Sequence, residues 1–131
     1  MLYVKDFEGW LQKKKEIDAR EAVDNPKERE VWWCSIGINI GHEQDGKNLL
    51  YERPVLIIKV FNKDLVAILP IISSDKIGKY YYPLIQMEQS SVLVLSQIRT
   101  ISSKRLLRKI NEVSVAEYLK ISIQLVRIFL Y

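Results

Sequence analysis

A small, mainly β domain with a helix at each end, an α+β fold built on a barrel, is the class this chain predicts. Three observations carry that expectation. Short apolar runs bounded by turn residues recur between Glu30 and Val113. Two of them, Val55-Leu56-Ile57-Ile58 and Leu65 to Ile72, are nearly continuous and rich in β-branched residues, the pattern of strands buried on both faces. Extended helical spacing occurs only ahead of the first run and behind the last.

Residues 5–22 read as the first helix, with Phe7, Trp10, Leu11, Lys14 and Ile17 at helical spacing. Trp10 and Phe7 need a covering surface, on the barrel or on a second subunit. The run Lys13-Lys14-Lys15 falls mostly on the outer side, where a solvated face is a plainer reading than a phosphate contact. Asn25-Pro26 ends the element. Glu30 to Ile36 forms the first strand, and a polar loop runs from Gly37 to Lys47. The chain then passes Tyr51-Glu52-Arg53-Pro54 into the second strand, Val55 to Ile58. Phe61 to Asp64 makes a tight hairpin into the third strand, Leu65 to Ile72, where Pro70 suggests an edge or a bulge because it lacks an N–H.

Ser73-Ser74-Asp75 turns the chain. Tyr80 to Ile85 is a fourth strand, with Pro83 again marking an edge or bulge, and Ser91 to Leu95 a fifth. Ser102 to Arg105 reads as one helical turn, and Leu106 to Val113 as the last strand. Ser114 and Glu117 form a capping box, and Val115, Leu119, Ile123, Val126 and Leu130 recur on one face of the closing helix. Short strands, compact turns and one closing helix make a small barrel. Residues 1–29 are then a helical extension and linker, and residues 30–131 the barrel with its C-terminal helix.

The 131 residues suit one domain, and 48% hydrophobic with 27% charged residues is ordinary for a soluble globule. Cys34, the single cysteine, has no partner for an internal disulfide and sits in a strand, which fits a reducing cytoplasm and a small apolar core residue. Early charges at Lys5, Asp6, Glu8 and Lys13 leave no signal-peptide core, and Glu117, Lys120 and Arg127 interrupt the apolar tail, so no membrane span is expected. Residues 31–131 carry thirteen Lys/Arg against eight Asp/Glu. A basic body favours a polyanionic partner.

Arg53 is the last charged residue before the chain enters the core. A long cation at a strand mouth, beside a Gly-bounded loop carrying His42, Glu43 and Gln44, marks a site, although a strand-end Arg also serves as a solvated cap. His42 is the only histidine, and its ordinary pKa near about 6.5 suits proton transfer; pinning the loop is its other open role. Trp32, Trp33 and Tyr80 to Tyr82 offer surfaces on which bases could stack, with about half of any strand facing inward. No Cys/His cluster, Gly-rich phosphate loop or Ser-His-Asp set is present, so no metal or cofactor is expected.

The stretch from Glu30 to Ile58 resembles the toxins of the MazF/PemK type, the endoribonuclease half of bacterial toxin–antitoxin pairs. The matching features are the aromatic strand, the turn Gly37-Ile38-Asn39-Ile40-Gly41, the loop residues His42-Glu43-Gln44, and Arg53-Pro54-Val55-Leu56-Ile57. A second block matches at Ser91 to Ile101 and Ser103 to Leu106. The resemblance implies an SH3-like barrel of the PemK/CcdB type with a C-terminal helix, usually a homodimer. It further implies metal-independent cutting of single-stranded RNA at a short sequence, a 2′,3′-cyclic phosphate product, and restraint by a cognate antitoxin laid across the dimer groove.

In such a reaction the 2′-hydroxyl attacks the adjacent phosphate, so charge must be stabilised on the phosphoryl oxygens. Arg53 stands where the family has its catalytic arginine, and its planar fork suits two phosphate oxygens. His42 is a candidate for proton transfer. Glu43, Gln44 and Lys47 on the loop, with Gln97 and Arg99 in the second block, are candidates for RNA contact; orienting Arg53 or pinning the loop are the other open roles of Glu43 and Gln44. Pairing with Glu43 or Asp45 is an equal alternative for Arg99. One departure stands out. Relatives carry a threonine hydroxyl beside the arginine, whereas Ile72 stands there in this chain. Ser73 is one residue along, which in a regular strand is the opposite face, so a bulge near Pro70 or an early strand end would be needed to bring it in. Without that, a weakened or inactive barrel that binds RNA or a protein partner is the alternative. A gyrase-poisoning toxin shares the fold, but the ending Arg127-Ile128-Phe129-Leu130-Tyr131 lacks the aromatic-glycine-aliphatic sequence of that class.

Overall fold

Side-chain alternation along the central strands divides this protein into two cores. A computed structural model describes residues 3–23, 25–85 and 89–131. Its elements run α1 (Phe7–Ala19), β1 (Glu30–Ser35), β2 (Glu52–Val60), β3 (Leu65–Ser73), β4 (Tyr81–Leu84), β5 (Ser91–Val94), β6 (Arg99–Ser102), β7 (Leu106–Glu112) and α2 (Val115–Leu130), with single 3-10 turns at Leu95–Gln97 and Ser103–Arg105. The strands pair antiparallel in the order β4-β5-β3-β2-β1-β7, and β6 adds to β3, giving the α+β, SH3-like barrel with a helix at each end.

β3 joins the two halves of the barrel. One flank lies along β2; on the other, Leu65 to Ile68 pair with β6 and Ile71 to Ser73 pair with β5. Pro70 therefore stands where the neighbour changes, within a central strand and not at an edge. On that flank its missing N–H costs no ladder bond. Pro83 does lie on an edge strand, β4. β6 was not legible in the sequence: four residues with one buried apolar side chain, Ile101, are too short for a period.

Trp32, Cys34, Val55, Ile57, Val66, Ile68, Ile101 and Leu106 fill one core. Their alternates Val31, Leu56, Leu69 and Ile71 turn to the other side, join Leu93 and Leu95, and meet Ile121 and Leu125 of α2. Cys34 is fully buried, and burial pushes its thiol up to about 12, so it is an inert core residue.

Both helices depart from their sequence reading in one respect. Ser114 caps α2 as expected, its Oγ accepting from Glu117 N at 3.1 Å. The stripe Val115, Leu119, Ile123, Val126 and Leu130 is the exposed one, however, and Ile121 and Leu125, with Tyr118 and Ile128 beside them, face the sheet. The helix is apolar on two sides, and spacing alone does not say which side the sheet takes. α1 is capped by Asp6, whose Oδ1 accepts from Gly9 N at 2.9 Å, and it ends at Ala19, short of Asn25-Pro26. Trp10 and Ile17 are buried with Ile38 and Tyr51, whereas Phe7 stays 51% exposed. The helix docks on its own barrel: Arg20 Nε donates to Lys104 O at 2.8 Å, and Lys104 Nζ to Asp18 O at 2.8 Å. Among the described residues no helix is long and apolar enough to cross a membrane.

Candidate functional site

The loop between β1 and β2 is closed by glycines. Gly37, at φ +91°, lies against the Trp10 ring, where no side chain would fit. Gly46 N donates to Gly37 O at 2.7 Å, and Lys47 and Glu52 exchange backbone bonds of 2.9 and 3.0 Å to form a tight hairpin. Its last residue, Tyr51, takes φ +51°, an uncommon conformation for an aromatic residue. Packing holds it there: its ring lies 5.5 Å from that of Trp10, and its hydroxyl donates to Asp6 Oδ2 at 2.8 Å.

Two residues on, Arg53 is already inside β2, opposite Cys34, and not ahead of the strand. Its guanidinium is half-buried and anchored by backbone oxygens. Nε donates to Asp45 O at 2.7 Å and Nη1 to Ile71 O at 3.4 Å. Among the described residues no carboxylate lies within ion-pair distance of it. Burial lowers its pKa while nearby Asp45 opposes that, and a guanidinium so perturbed remains a cation at neutral pH. Two anchored donors leave three N–H groups for a ligand.

Arg53 separates two hollows. The larger, about 790 Å³, is lined by Trp33, Lys47, Arg53, Ile72, Ser73 and Asn111 among others. The second, about 680 Å³, opens on the loop side between Tyr3, His42, Asp45, Lys47 and Arg53. Ser73 thus shares a cleft with Arg53, by the early strand end and not by a bulge near Pro70. Ile71, Ile72 and Ser73 pair evenly with β5, and all three line the cleft where β3 ends. Half-buried Ile72 lines the same cleft.

The loop candidates divide by what their side chains hold. Glu43 Oε1 accepts from Ile40 N at 2.8 Å and pins the turn. Gln97 reaches across, accepting from Gln44 N at 2.7 Å and donating to His42 O at 3.1 Å, so its amide is a clamp on the loop. His42 and Lys47 are exposed, and the imidazole makes no hydrogen bond among the described residues. Arg99 is half-buried in a third hollow of about 470 Å³, beside His42, Gln44 and Gln97. It pairs with neither Glu43 nor Asp45. The carboxylate of Asp45 is taken instead by Lys5 at 3.2 Å, by Tyr3 Oη at 2.9 Å and by Asn39 N at 2.6 Å. Reading the sequence named Asp45 only as a partner for Arg99 and missed Lys5 and Tyr3. The one available signal was an acid directly before the loop's Gly46. Trp33 lies under the Arg108 guanidinium, 5.1 Å away, and Arg108 pairs with buried Glu52 at 3.2 Å. Trp32 is buried and donates to Glu30. No group of three His, Cys, Asp or Glu residues is placed to hold a metal among the described residues.

The model of the family described as PemK-like, MazF-like toxins of type II toxin–antitoxin systems matches residues 27–129. The chain belongs to this family. Among solved structures, the toxin resembles MazF from Deinococcus radiodurans, with 20% identity, a TM-score of 0.66, and coverage of 83% of this chain and 97% of that one. It also resembles Mycobacterium tuberculosis toxin MazF-mt6 at 18% identity, with a TM-score of 0.59 and coverage of 77% and 96%. A mycobacterial endoribonuclease solved with its cognate antitoxin gives 16% identity, a TM-score of 0.59 and coverage of 79% and 93%. At these identities the structures support the fold. No curated protein matches the chain in sequence. The match to the toxin family begins at residue 27, so α1 lies outside it.

Proposed function

We propose that this toxin is an endoribonuclease that cuts single-stranded RNA without a metal ion and is held in check by a partner antitoxin. The observation that carries the reading is Arg53: a half-buried cation, fixed by two carbonyls, unpaired with any described carboxylate, and open to clefts on both sides. Three free N–H groups on a cleft that Ser73 also lines suit the non-bridging oxygens of a phosphodiester. In the reaction the RNA's own 2′-oxygen forms the new bond to phosphorus, the bond to the 5′-oxygen breaks, and a 2′,3′-cyclic phosphate remains. Arg53 stabilises the negative charge that builds on the non-bridging phosphoryl oxygens. The Ser73 hydroxyl adds a hydrogen bond, and His42, exposed on the loop-side hollow, takes the proton of the 2′-hydroxyl and returns one to the departing 5′-oxygen. The basic residues Lys47 and Arg99 draw the RNA backbone toward the cleft, and Gln44 lies within reach of a ribose; Glu43 and Gln97 shape the loop. A homodimer, whose paired grooves would hold RNA or the antitoxin, belongs to the same proposal.

Ile72 favours a second reading, a barrel that binds RNA and cuts it poorly, because it puts a methyl-rich surface in the cleft where a hydroxyl would serve. One experiment separates the two. Long single-stranded RNA is incubated in EDTA with the wild type, Arg53→Ala and Ile72→Thr. Loss of about a thousandfold in rate with Arg53→Ala is the expected result. RNA that is retarded but intact with every variant favours the binding module. Cutting that survives Arg53→Ala refutes the nuclease site.

A further inference from the structure

We propose that Lys5 and Tyr3 are positioning residues for Arg53 and act on it through Asp45. The inference rests on the nuclease reading of Arg53. Asp45 is bound at both ends. Its carbonyl accepts the Nε–H of Arg53 at 2.7 Å, while its carboxylate takes Lys5 Nζ at 3.2 Å, Tyr3 Oη at 2.9 Å and Asn39 N at 2.6 Å. Lys5 Nζ also donates to Asn39 O at 2.6 Å and Gly41 O at 2.9 Å, so its three N–H groups are spent on three points of one loop.

The loop spans the stretch between β1 and β2 and carries little regular structure, so the Asp45 carbonyl stays in place only as far as its own partners fix it. Two of those partners come from residues 3–5, just ahead of α1. α1 in turn is held by Trp10 and Ile17 in the cluster with Ile38 and Tyr51, and by the Asp6 carboxylate on the Tyr51 hydroxyl. The Lys5–Asp45 pair is mostly shielded, with side-chain exposures of 20% and 11%, which strengthens it relative to an open surface pair. Residues 3–19 lie outside the segment, 27–129, that matches the toxin family, so this brace comes from a part of the chain that the match does not cover. An arginine that must meet a phosphate in one orientation gains from a rigid second support.

The test is a comparison of kcat, per folded protein, for Lys5→Ala and Tyr3→Phe made in the wild type and in Arg53→Lys, which keeps the charge but has no Nε–H for the Asp45 carbonyl. In the wild-type background we expect Lys5→Ala to lower kcat about tenfold and Tyr3→Phe about threefold. In the Arg53→Lys background each should change kcat by less than about twofold, since the support acts only through that bond. Equal losses in both backgrounds would overturn the proposal, because they would mean a role in the loop's stability alone. Wild-type rates for both single variants would overturn it as well. If Lys5→Ala does not fold, Tyr3→Phe, which removes one oxygen, carries the comparison. Should Arg53→Ala cut at the wild-type rate, the nuclease reading and this inference fall together; if Arg53→Ala is inactive while Tyr3→Phe and Lys5→Ala both cut at the wild-type rate, only the inference falls.

Discussion

Two glycines in one loop differ in how much an alanine should cost. At Gly46 a Cβ would overlap the Tyr51 carbonyl and come within 2.7 Å of Glu52 N, and all of these are backbone atoms that no rotamer change moves. To make room, the hairpin must part from the turn above it. Four bonds are at stake: Gly46 N to Gly37 O at 2.7 Å, Gly37 N to Tyr51 O at 3.1 Å, and the Lys47–Glu52 pair at 2.9 and 3.0 Å. At about 1 kcal/mol net for each, Gly46→Ala should cost about 4 kcal/mol. Gly41, at φ +57°, has nothing within 4 Å of the added carbon, so only the left-handed backbone is penalised, about 1 to 2 kcal/mol. Urea unfolding followed by tryptophan fluorescence measures both losses, because the three tryptophans lie in β1 and α1. A Gly46→Ala protein that loses no more stability than Gly41→Ala would refute the account of how the loop is closed, and with it the reason given for Arg53's placement.

The burial of α1 makes a second contrast. Trp10→Ala empties the cluster with Ile17, Ile38 and Tyr51 and should cost about 3 to 5 kcal/mol, whereas Phe7→Ala, at a half-exposed position, should cost under about 1 kcal/mol; thermal denaturation of both compares them. Glu30 provides the pH dependence. Burial pushes its carboxyl up, but the Lys27 amide, the Trp32 indole and the Lys109 ammonium outweigh that and hold it below the usual glutamate value. Its contribution to stability is therefore present above about pH 4.3, the ordinary unfolded value, and is lost as pH falls through the lower folded one. Glu30→Gln should be less stable than the wild type at pH 7, with the gap narrowing at pH 3 in urea titrations; a gap that widens toward acid would contradict this.

The barrel's elements were largely legible because their signals are local. Apolar runs with β-branched residues placed β1, β2, β3 and β5, and the Ser114 cap placed the start of α2. β6 escaped because its pairing with β3 comes from chain distant in sequence and not from any pattern of its own. For the candidate site, Arg53 and the glycine-bounded loop could be picked out, since turn chemistry and a charge at a strand mouth are properties of adjacent residues. For Ser73 alternation left the outcome to a bulge or an early strand end, and β3 does end at the cleft that Ser73 lines with Arg53.

What the amino-acid order determined by itself was where both helices and most of the strands lie, and which cation stands in the first residues of β2. Only the folded chain decided which apolar side of α2 is covered, that Asp45 rather than Glu43 or Gln44 supports Arg53, and that residues ahead of α1 reach that support. The reason is physical. Periodicity and capping act over one or two turns of chain, whereas the covered face of α2 and the bracing of Asp45 depend on groups forty or more residues away in sequence.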